Sequence, residues 1–389
     1  MKRCLLTVAA VALAVTGWVR LVETHERVNT TVSFDKEIVR IVTRKCLMCH
    51  SENNLSVPFT TYEETRPWAR AIEEEVLRRH MPPWRAQPGY GQFANDIGLT
   101  SRELAFLVGW VEGNGPKTKG QTLVVNLDQG ETDKEDQLEI DFERWQLGTP
   151  DLLKTLQAHT VPAGQSEVRR VVVDPGLTSE RWVRALEFKP GDRRVVRAVF
   201  FTVEGTGQWL GSWTPWHGIS TLPQNVAYRL PAGTRIVAEI HSRGAGQPVN
   251  DEGRLGLYFA EKPAANTPID LVIPTSAASN GSQPMKKFSG SLRLTSDLNL
   301  IAFKPANEAG LDSVEVTTRR ADGTVRVLLL VRGAMPEWPT PYILKEPLPI
   351  PRDTELRVTY YYNASATPSA APTLTASAYG GKAPVLTTK

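Results

Sequence analysis

Two cysteines three positions apart, with a histidine directly after the second, stand in the stretch RKCLMCHSENN at residues 44–54. Cys-x-x-Cys-His is the attachment pattern of c-type haem. The two thiols add across the haem vinyl groups, and the adjacent imidazole is thereby set under the iron as its proximal ligand. The chain holds three cysteines in all, and the third, Cys4, lies at the extreme N-terminus. A disulfide between Cys46 and Cys49 would close so small a loop that it would hold little of the fold together. A structural zinc site usually wants four Cys or His ligands, and no second cysteine pair exists to complete one. One covalent haem c, held by Cys46 and Cys49 with His50 on the iron, is therefore the leading expectation.

The sixth iron ligand is sought in RRHMPPWRAQPGYGQF, where Met81 follows His50 by 31 positions and precedes Pro82 and Pro83. Proline drives the preceding residue out of helical geometry, and two in a row stiffen the loop. Such a loop can hold a thioether over a haem face, and Met/His ligation is usual in cytochromes c. His80 is the rival ligand, and Met81 as core filler in a turn is the plain alternative. Met48 sits inside the attachment loop, too close to reach the opposite face.

A small cytochrome needs helices around these residues. Phe34, Ile38, Ile41 and Val42 recur at helical spacing into the motif. Thr61 with Glu64 forms a capping box ahead of a helix expected to bury Trp68, Ile72 and Val76. Thr100 with Glu103 forms another, followed by Leu104, Leu107, Val108 and Val111, and stopped by Gly113-Asn114-Gly115-Pro116. The expectation is an all-α monohaem domain over residues 30–118, with Trp68, Trp84 and Trp110 as core or haem-pocket walls.

Covalent haem attachment occurs outside the cytoplasm, and the N-terminus agrees. In MKRCLLTVAAVALAVTGWVR, Lys2 and Arg3 precede an apolar run from Leu5 to Val15 that is short for a membrane span. Residues 1–22 read as a signal peptide, or as a short retained anchor, since Trp18, Val19 and Leu21 extend the apolar stretch. The expected location is the periplasm or another extracytoplasmic space. A net charge of +3 over 389 residues, without a basic block, offers no nucleic-acid footprint.

After residue 118 the texture changes. An acid-rich linker covers 119–144, and beyond it short alternating or β-branched runs are divided by Pro/Gly turns. SVEVTTRRADGTVRVLLLV reads as a hairpin turning at Asp322-Gly323. YRLPAGTRIVAEIHS near 228 and PLPIPRDTELRVTYY near 347 echo each other, which suggests tandem β-sandwiches over 145–263 and 264–389. In YYYN, residues 360–363, inward and outward tyrosines on one strand are the commoner explanation; an aromatic ligand platform is the other.

CLMCH, HMPPW, GLTSRELAFLVGWVEGNGP and WQLGTPD together resemble bacterial secreted proteins that join a cytochrome c domain to a copper type II, ascorbate-dependent monooxygenase-like module. That module is similar to the peptidylglycine hydroxylating monooxygenases. EFKPGDRRVVRAVFF, LPAGTRIVAEIH and YYYNASATP extend the resemblance over roughly residues 35–370. It implies two jelly-roll sandwiches with one copper each: two adjacent histidines and a lone one in the first, a His-x-His pair and a methionine in the second. In this chain the adjacent pair falls on Arg197 and Ala198, and the His-x-His positions fall near Pro305 and Asn307. Only the lone histidine survives, as His241, and no methionine follows Met335.

A guanidinium has no lone pair for a metal, and alanine and proline side chains offer no donor. Copper is therefore not expected, and nothing in the spacing of His159, His217 and His241 argues for a new site. The leading functional expectation is a periplasmic electron-transfer cytochrome whose β module is a docking or scaffold element. An active copper monooxygenase fed by the haem and a structural haem-bearing subunit of an envelope redox complex are the alternatives. The expected partners are periplasmic or membrane redox proteins.

Overall fold

The computed structural model describes residues 30–118, 141–277, 285–366, 368 and 370–381. The segment 1–22 and most of the acidic linker lie outside the described residues. The chain is mostly β-sheet, preceded by a few helices, and among the described residues no helix is long and apolar enough to cross a membrane.

A π-helical turn, Phe34–Ile38, runs into the helix Val39–Lys45. Tyr62–Thr65 and Ala69–Leu77 are separated by the 3-10 turn Arg66–Trp68, and Ser101–Glu112 completes the helices. Both expected capping boxes are formed, at Thr61/Glu64 and Thr100/Glu103. Phe34, Ile38, Ile41, Val42, Leu107 and Trp110 meet in one core. Trp68 does not join them. It is 44% exposed, because Pro67 tightens the chain into the 3-10 turn and Trp68 becomes the N-cap of the next helix. Val76 is buried as expected, and Ile72 is half-buried.

The first pair of sheets encloses a core that includes Leu186, Phe188, Val199, Phe201 and Ile240. One sheet orders its strands as Ser166–Val173, Ile236–Arg243, Val196–Val203, Trp209–Trp213. The other runs Leu152–Thr155, Arg254–Phe259, Arg181–Lys189, Ile219–Thr221, with Tyr228–Leu230 also on Arg181–Lys189. All these pairings are antiparallel, and two such sheets over one core make a β-sandwich. The incoming linker is tied to it by a buried pair. Lys189 Nζ donates to the Phe142 and Arg144 carbonyls, both at 2.6 Å, and Glu187 accepts from the Gln146 N–H at 3.0 Å.

The second pair repeats the order of the first. Met285–Arg293, Glu355–Asn363, Leu311–Arg319 and Val325–Arg332 lie in sequence across one sheet, with the short Ser276–Ala277 at its edge. Ile269–Pro274, Thr373–Tyr379, Leu298–Pro305 and Tyr342–Ile350 form the other. The echoed segments occupy corresponding places. Thr234 N–H donates to the Pro231 carbonyl in one turn and Thr354 N–H to Pro351 in the other. Each turn carries a left-handed third residue, Gly233 at φ 73° and Asp353 at φ 64°. Asp322-Gly323 turns a hairpin as its sequence foretold, with Gly323 at φ 86°. Tyr360 and Tyr362 are buried while Tyr361 is only half-buried, so YYYN is an alternating strand.

One segment crosses between the two kinds of structure. Residues 84–97 leave the helices and dock on the second sheet pair. Ala86 bridges Val331, and Phe93 bridges Leu344. The Gln87 N–H donates to Leu330 O at 2.7 Å, the Ala94 N–H to Ile343 O at 2.7 Å, and the Lys345 N–H to Gln92 O at 2.9 Å. Buried Asn95 donates to Pro341 O at 2.7 Å and accepts from the Ile343 N–H at 3.0 Å. Trp84, Phe93 and Ile97 belong to the second core, where the Trp84 and Phe93 rings each meet Tyr342 edge-on. Trp84, expected among the helices or at a haem wall, therefore packs in the second core, because the strap carries it there.

Candidate haem-binding site

The helix Val39–Lys45 ends where the motif begins, and its backbone turns on through it. Cys46 N–H donates to Val42 O at 2.8 Å; Cys49 N–H and His50 N–H both donate to Cys46 O, at 3.0 and 2.9 Å. This helical turn sets Cys46 and Cys49 nearly one turn apart, with His50 beside the second. Both cysteines are free thiols in half-buried residues. Desolvation pushes the Cys46 thiol up to about 12, with the Cys49 charge adding to it, and the Cys49 thiol up to about 11, against the pull of Arg193 and Arg197.

The loop after the motif folds back and fixes the imidazole. Ser56 N–H donates to Cys49 O at 3.2 Å, and Phe59 N–H donates to His50 O at 2.7 Å. His50 Nδ1 lies 2.9 Å from Val57 O, and the ring stacks on Phe59 at 4.3 Å and 5°. Since a carbonyl can only accept, Nδ1 carries the proton and Nε2 keeps its lone pair. Burial lowers the His50 pKa, with the Val57 bond opposing, and so favours the neutral form. This is the tautomer an iron ligand requires, fixed through the other ring nitrogen as metal-binding histidines commonly are.

Met81 lies just beyond the helix Ala69–Leu77. The His80 and Met81 N–H groups both donate to Glu75 O, at 2.9 and 3.3 Å, after Arg79 turns the chain at φ 56°. Met81 is half-buried, whereas His80 is exposed and sets Nδ1 3.3 Å from the Glu75 carboxylate. Between these two candidates for the sixth position, the exposed one is already engaged. The loop that carries Met81 leads straight into the strap, which anchors it on the second sheet pair.

The first sheet pair closes on the motif from another side. Arg193 Nη2 donates to Met48 O, inside the attachment loop, and to Pro215 O, both at 3.0 Å. Its guanidinium lies 3.8 Å from the Phe142 ring centre and 5.5 Å from that of Trp213. Burial lowers its pKa to about 10, with Cys49 and Glu143 opposing. Arg197 stands over the Trp338 ring at 5.0 Å, and Trp338 lies 6.1 Å from Trp216. Arg193 Nε and Arg197 Nη1 are buried without a hydrogen-bond partner among the described residues.

The copper-ligand positions are legible as well. Ala198 pairs across strands with His241, so two of the implied positions meet on neighbouring strands. His241 turns Nε2 to Glu239 Oε1 at 3.1 Å and packs edge-on against Phe200. That bond, with help from Arg170, holds the Glu239 carboxyl down at about 2. His159 pairs with Glu167 at 2.6 Å. Pro305, Asn307 and Met335 do line one cavity, about 20 Å³ in size, which Pro83 and, from the strap, Arg85 also wall. Among the described residues no three His, Cys, Asp or Glu side chains gather as a metal cluster.

The sequence shows the Cys-x-x-Cys-His spacing and Arg197 at an implied copper-ligand position, but not the Arg193 link, the stacking of Arg197 on Trp338 or the strap. A signal for the strap was present. Residues 78–100 form a long stretch without helical periodicity that still carries Trp84, Phe93 and Ile97, and long loops with large apolar residues need a surface to bury them.

No family model matches the chain, and no curated protein matches it. Solved structures that match include the PBSX exported protein XepA, at 10% identity over 59% of this chain and 87% of that one, with a TM-score of 0.20. The major capsid protein P2 from bacteriophage PM2 matches at 12% identity over 59% of this chain and 97% of that one, with a TM-score of 0.29. Overlaps this loose carry no inference about this chain.

Proposed function

We propose that the chain is a periplasmic c-type cytochrome, in which one covalent haem carries electrons and the β module holds the haem domain in place. The observation that carries this reading is the pinned imidazole: His50 Nδ1 held by Val57 O, in the turn that also presents Cys46 and Cys49. Those residues fit the group. Cys46 and Cys49 would supply the thioether bonds, and His50 Nε2 and Met81 would supply donors to the iron. When bound, the haem would supply reversible one-electron exchange at its iron. The protein's part is to anchor the ring edge, keep His50 neutral, and restrict water.

On this reading the fold is a small all-α cytochrome c domain followed by two tandem jelly-roll sandwiches of the monooxygenase-like kind. The repeated strand order and the paired Pro-x-Gly/Asp-Thr turns support the tandem relation. Copper is not part of the proposal. Arg197 and Ala198 stand where the resemblance asks for histidines, and the lone His241 is bonded to Glu239. This donor set does not fit the metal, so no hydroxylase step is assigned. The strap and Arg193 instead support a scaffold role, because each ties the haem-bearing segment to a different sheet pair.

The test is an optical titration of protein expressed with haem-maturation machinery. A sharp reduced α-band that disappears on oxidation and returns on reduction is expected. Cys46→Ala with Cys49→Ala should abolish it. A colourless wild-type protein from a maturation-competent host would overturn the proposal.

A further inference from the structure

A cavity of about 480 Å³ lies at the seam between the attachment loop and the first sheet pair. Asn54 and Leu55 form one side, and Arg194, Arg197 and Arg243 come from the other. Among its lining residues there is no aspartate or glutamate. Arg194 is engaged by its neighbour Asp192 at 2.6 Å. Arg197 and Arg243 have no carboxylate partner among the described residues; burial lowers the Arg197 pKa, with Cys49 opposing and Arg243 adding to it as a like charge. Arg197 is half-buried, and its Nη1 is short of an acceptor.

Two like-charged guanidinium groups, one of them partly desolvated, line one cavity whose walls carry no carboxylate. The fold nonetheless keeps them there. Arg243 ends the strand Ile236–Arg243, with its N–H donating to Val195 O at 2.8 Å, and Arg197 is fixed over Trp338. Gly244 lies against the Pro162 carbonyl, where a Cβ would collide, and Gly246 borders open space. The cavity falls within the usual size range of small-ligand sites, about 300–1,000 Å³.

We propose that this cavity binds a small oxyanion, of phosphate or carboxylate chemistry, between Arg197 and Arg243. Planar guanidinium groups match such oxygens in pairs. Asn54 is not a competing donor, since its Nδ2 is spent on Met48 O and Ser51 Oγ. The site does not depend on haem, but it borders the attachment loop, so an occupant would lie beside it.

Calorimetric titration of the full chain with inorganic phosphate and with succinate, at constant ionic strength and with glycerol as the neutral control, tests this. Saturable one-to-one binding of phosphate or succinate is expected, with none for glycerol. The tighter of the two anions identifies the chemistry. Arg243→Gln and Arg197→Gln should each weaken it about tenfold or more, the loss expected for one charge-assisted hydrogen bond. Arg326→Gln, an exposed arginine on the second sheet pair, should leave it unchanged. Since Arg197 also packs on Trp338, the Arg243 variant decides the matter. No saturable binding by either anion at millimolar concentration, or an affinity unaltered in Arg243→Gln, would overturn the inference.

Discussion

Asn95 holds the strap by a bond in each direction. Its side chain is 3% exposed, donates to Pro341 O at 2.7 Å and accepts from the Ile343 N–H at 3.0 Å, across more than two hundred residues of sequence. Asn95→Ala removes both bonds and leaves a buried carbonyl and a buried N–H short of a partner. Each such group costs about 1–3 kcal/mol, so the strap should lose roughly 2–5 kcal/mol once some relaxation is allowed. The loss is local, because the helical core and the first sheet pair do not use this residue. Native-state hydrogen exchange reads it directly. The Gln87, Ala94 and Lys345 amides, bonded across the docking line, should exchange about 30-fold faster or more, as a loss of about 2 kcal/mol or greater requires. The Ile240 amide in the first sheet pair should not change. Unaltered exchange at those three amides, or the same acceleration in both sheet pairs, would refute the idea that Asn95 locks the strap.

Three further outcomes are expected. Met81→Ala should leave the haem attached but open its sixth position, so the reduced protein takes up carbon monoxide and its potential falls; an unchanged spectrum and potential would move the ligand to another group, His80 first. Arg193→Met should keep the contact with Phe142 while losing the bonds to Met48 O and Pro215 O, lowering stability by about 1–3 kcal/mol in urea unfolding; an unchanged midpoint would remove it as a link between the attachment loop and the first sheet pair. His217 is buried enough that desolvation lowers its pKa from 6.5 to about 4. A base depressed in the folded state stabilises fully above its unfolded pKa and loses that contribution as pH falls toward the folded value. Wild type should therefore shed about 2–3 kcal/mol more than His217→Gln between neutral pH and about pH 4. Equal acid slopes for the two proteins would contradict the assignment.

Local pattern was readable wherever a single residue type dictates geometry. Both capping boxes, the Asp322-Gly323 turn, the alternation of Tyr360 to Tyr362 and the echo between Pro231 and Pro351 follow from chain chemistry within a few residues. Trp68 misled because Pro67 changes the helical phase just before it. The strap and the arginine contacts were hidden for a different reason. Nothing local tells Asn95 that its partners lie at Pro341 and Ile343, or Arg193 that its acceptor is Met48 O. Such pairings exist only once separate elements have packed. The Cys-x-x-Cys-His spacing of Cys46, Cys49 and His50 was legible in the sequence, and the Val57 bond that selects the His50 tautomer emerged only with the folded loop.

Covalent haem at Cys46 and Cys49 is tested most directly by the intact mass of the denatured protein. Protein from a maturation-competent host should retain the mass of one haem after acid-acetone extraction. A tryptic peptide spanning residues 46–50 should carry it, and Cys46→Ala with Cys49→Ala should lose it. A chain whose mass equals that of the polypeptide alone, with both thiols open to alkylation, would contradict the account.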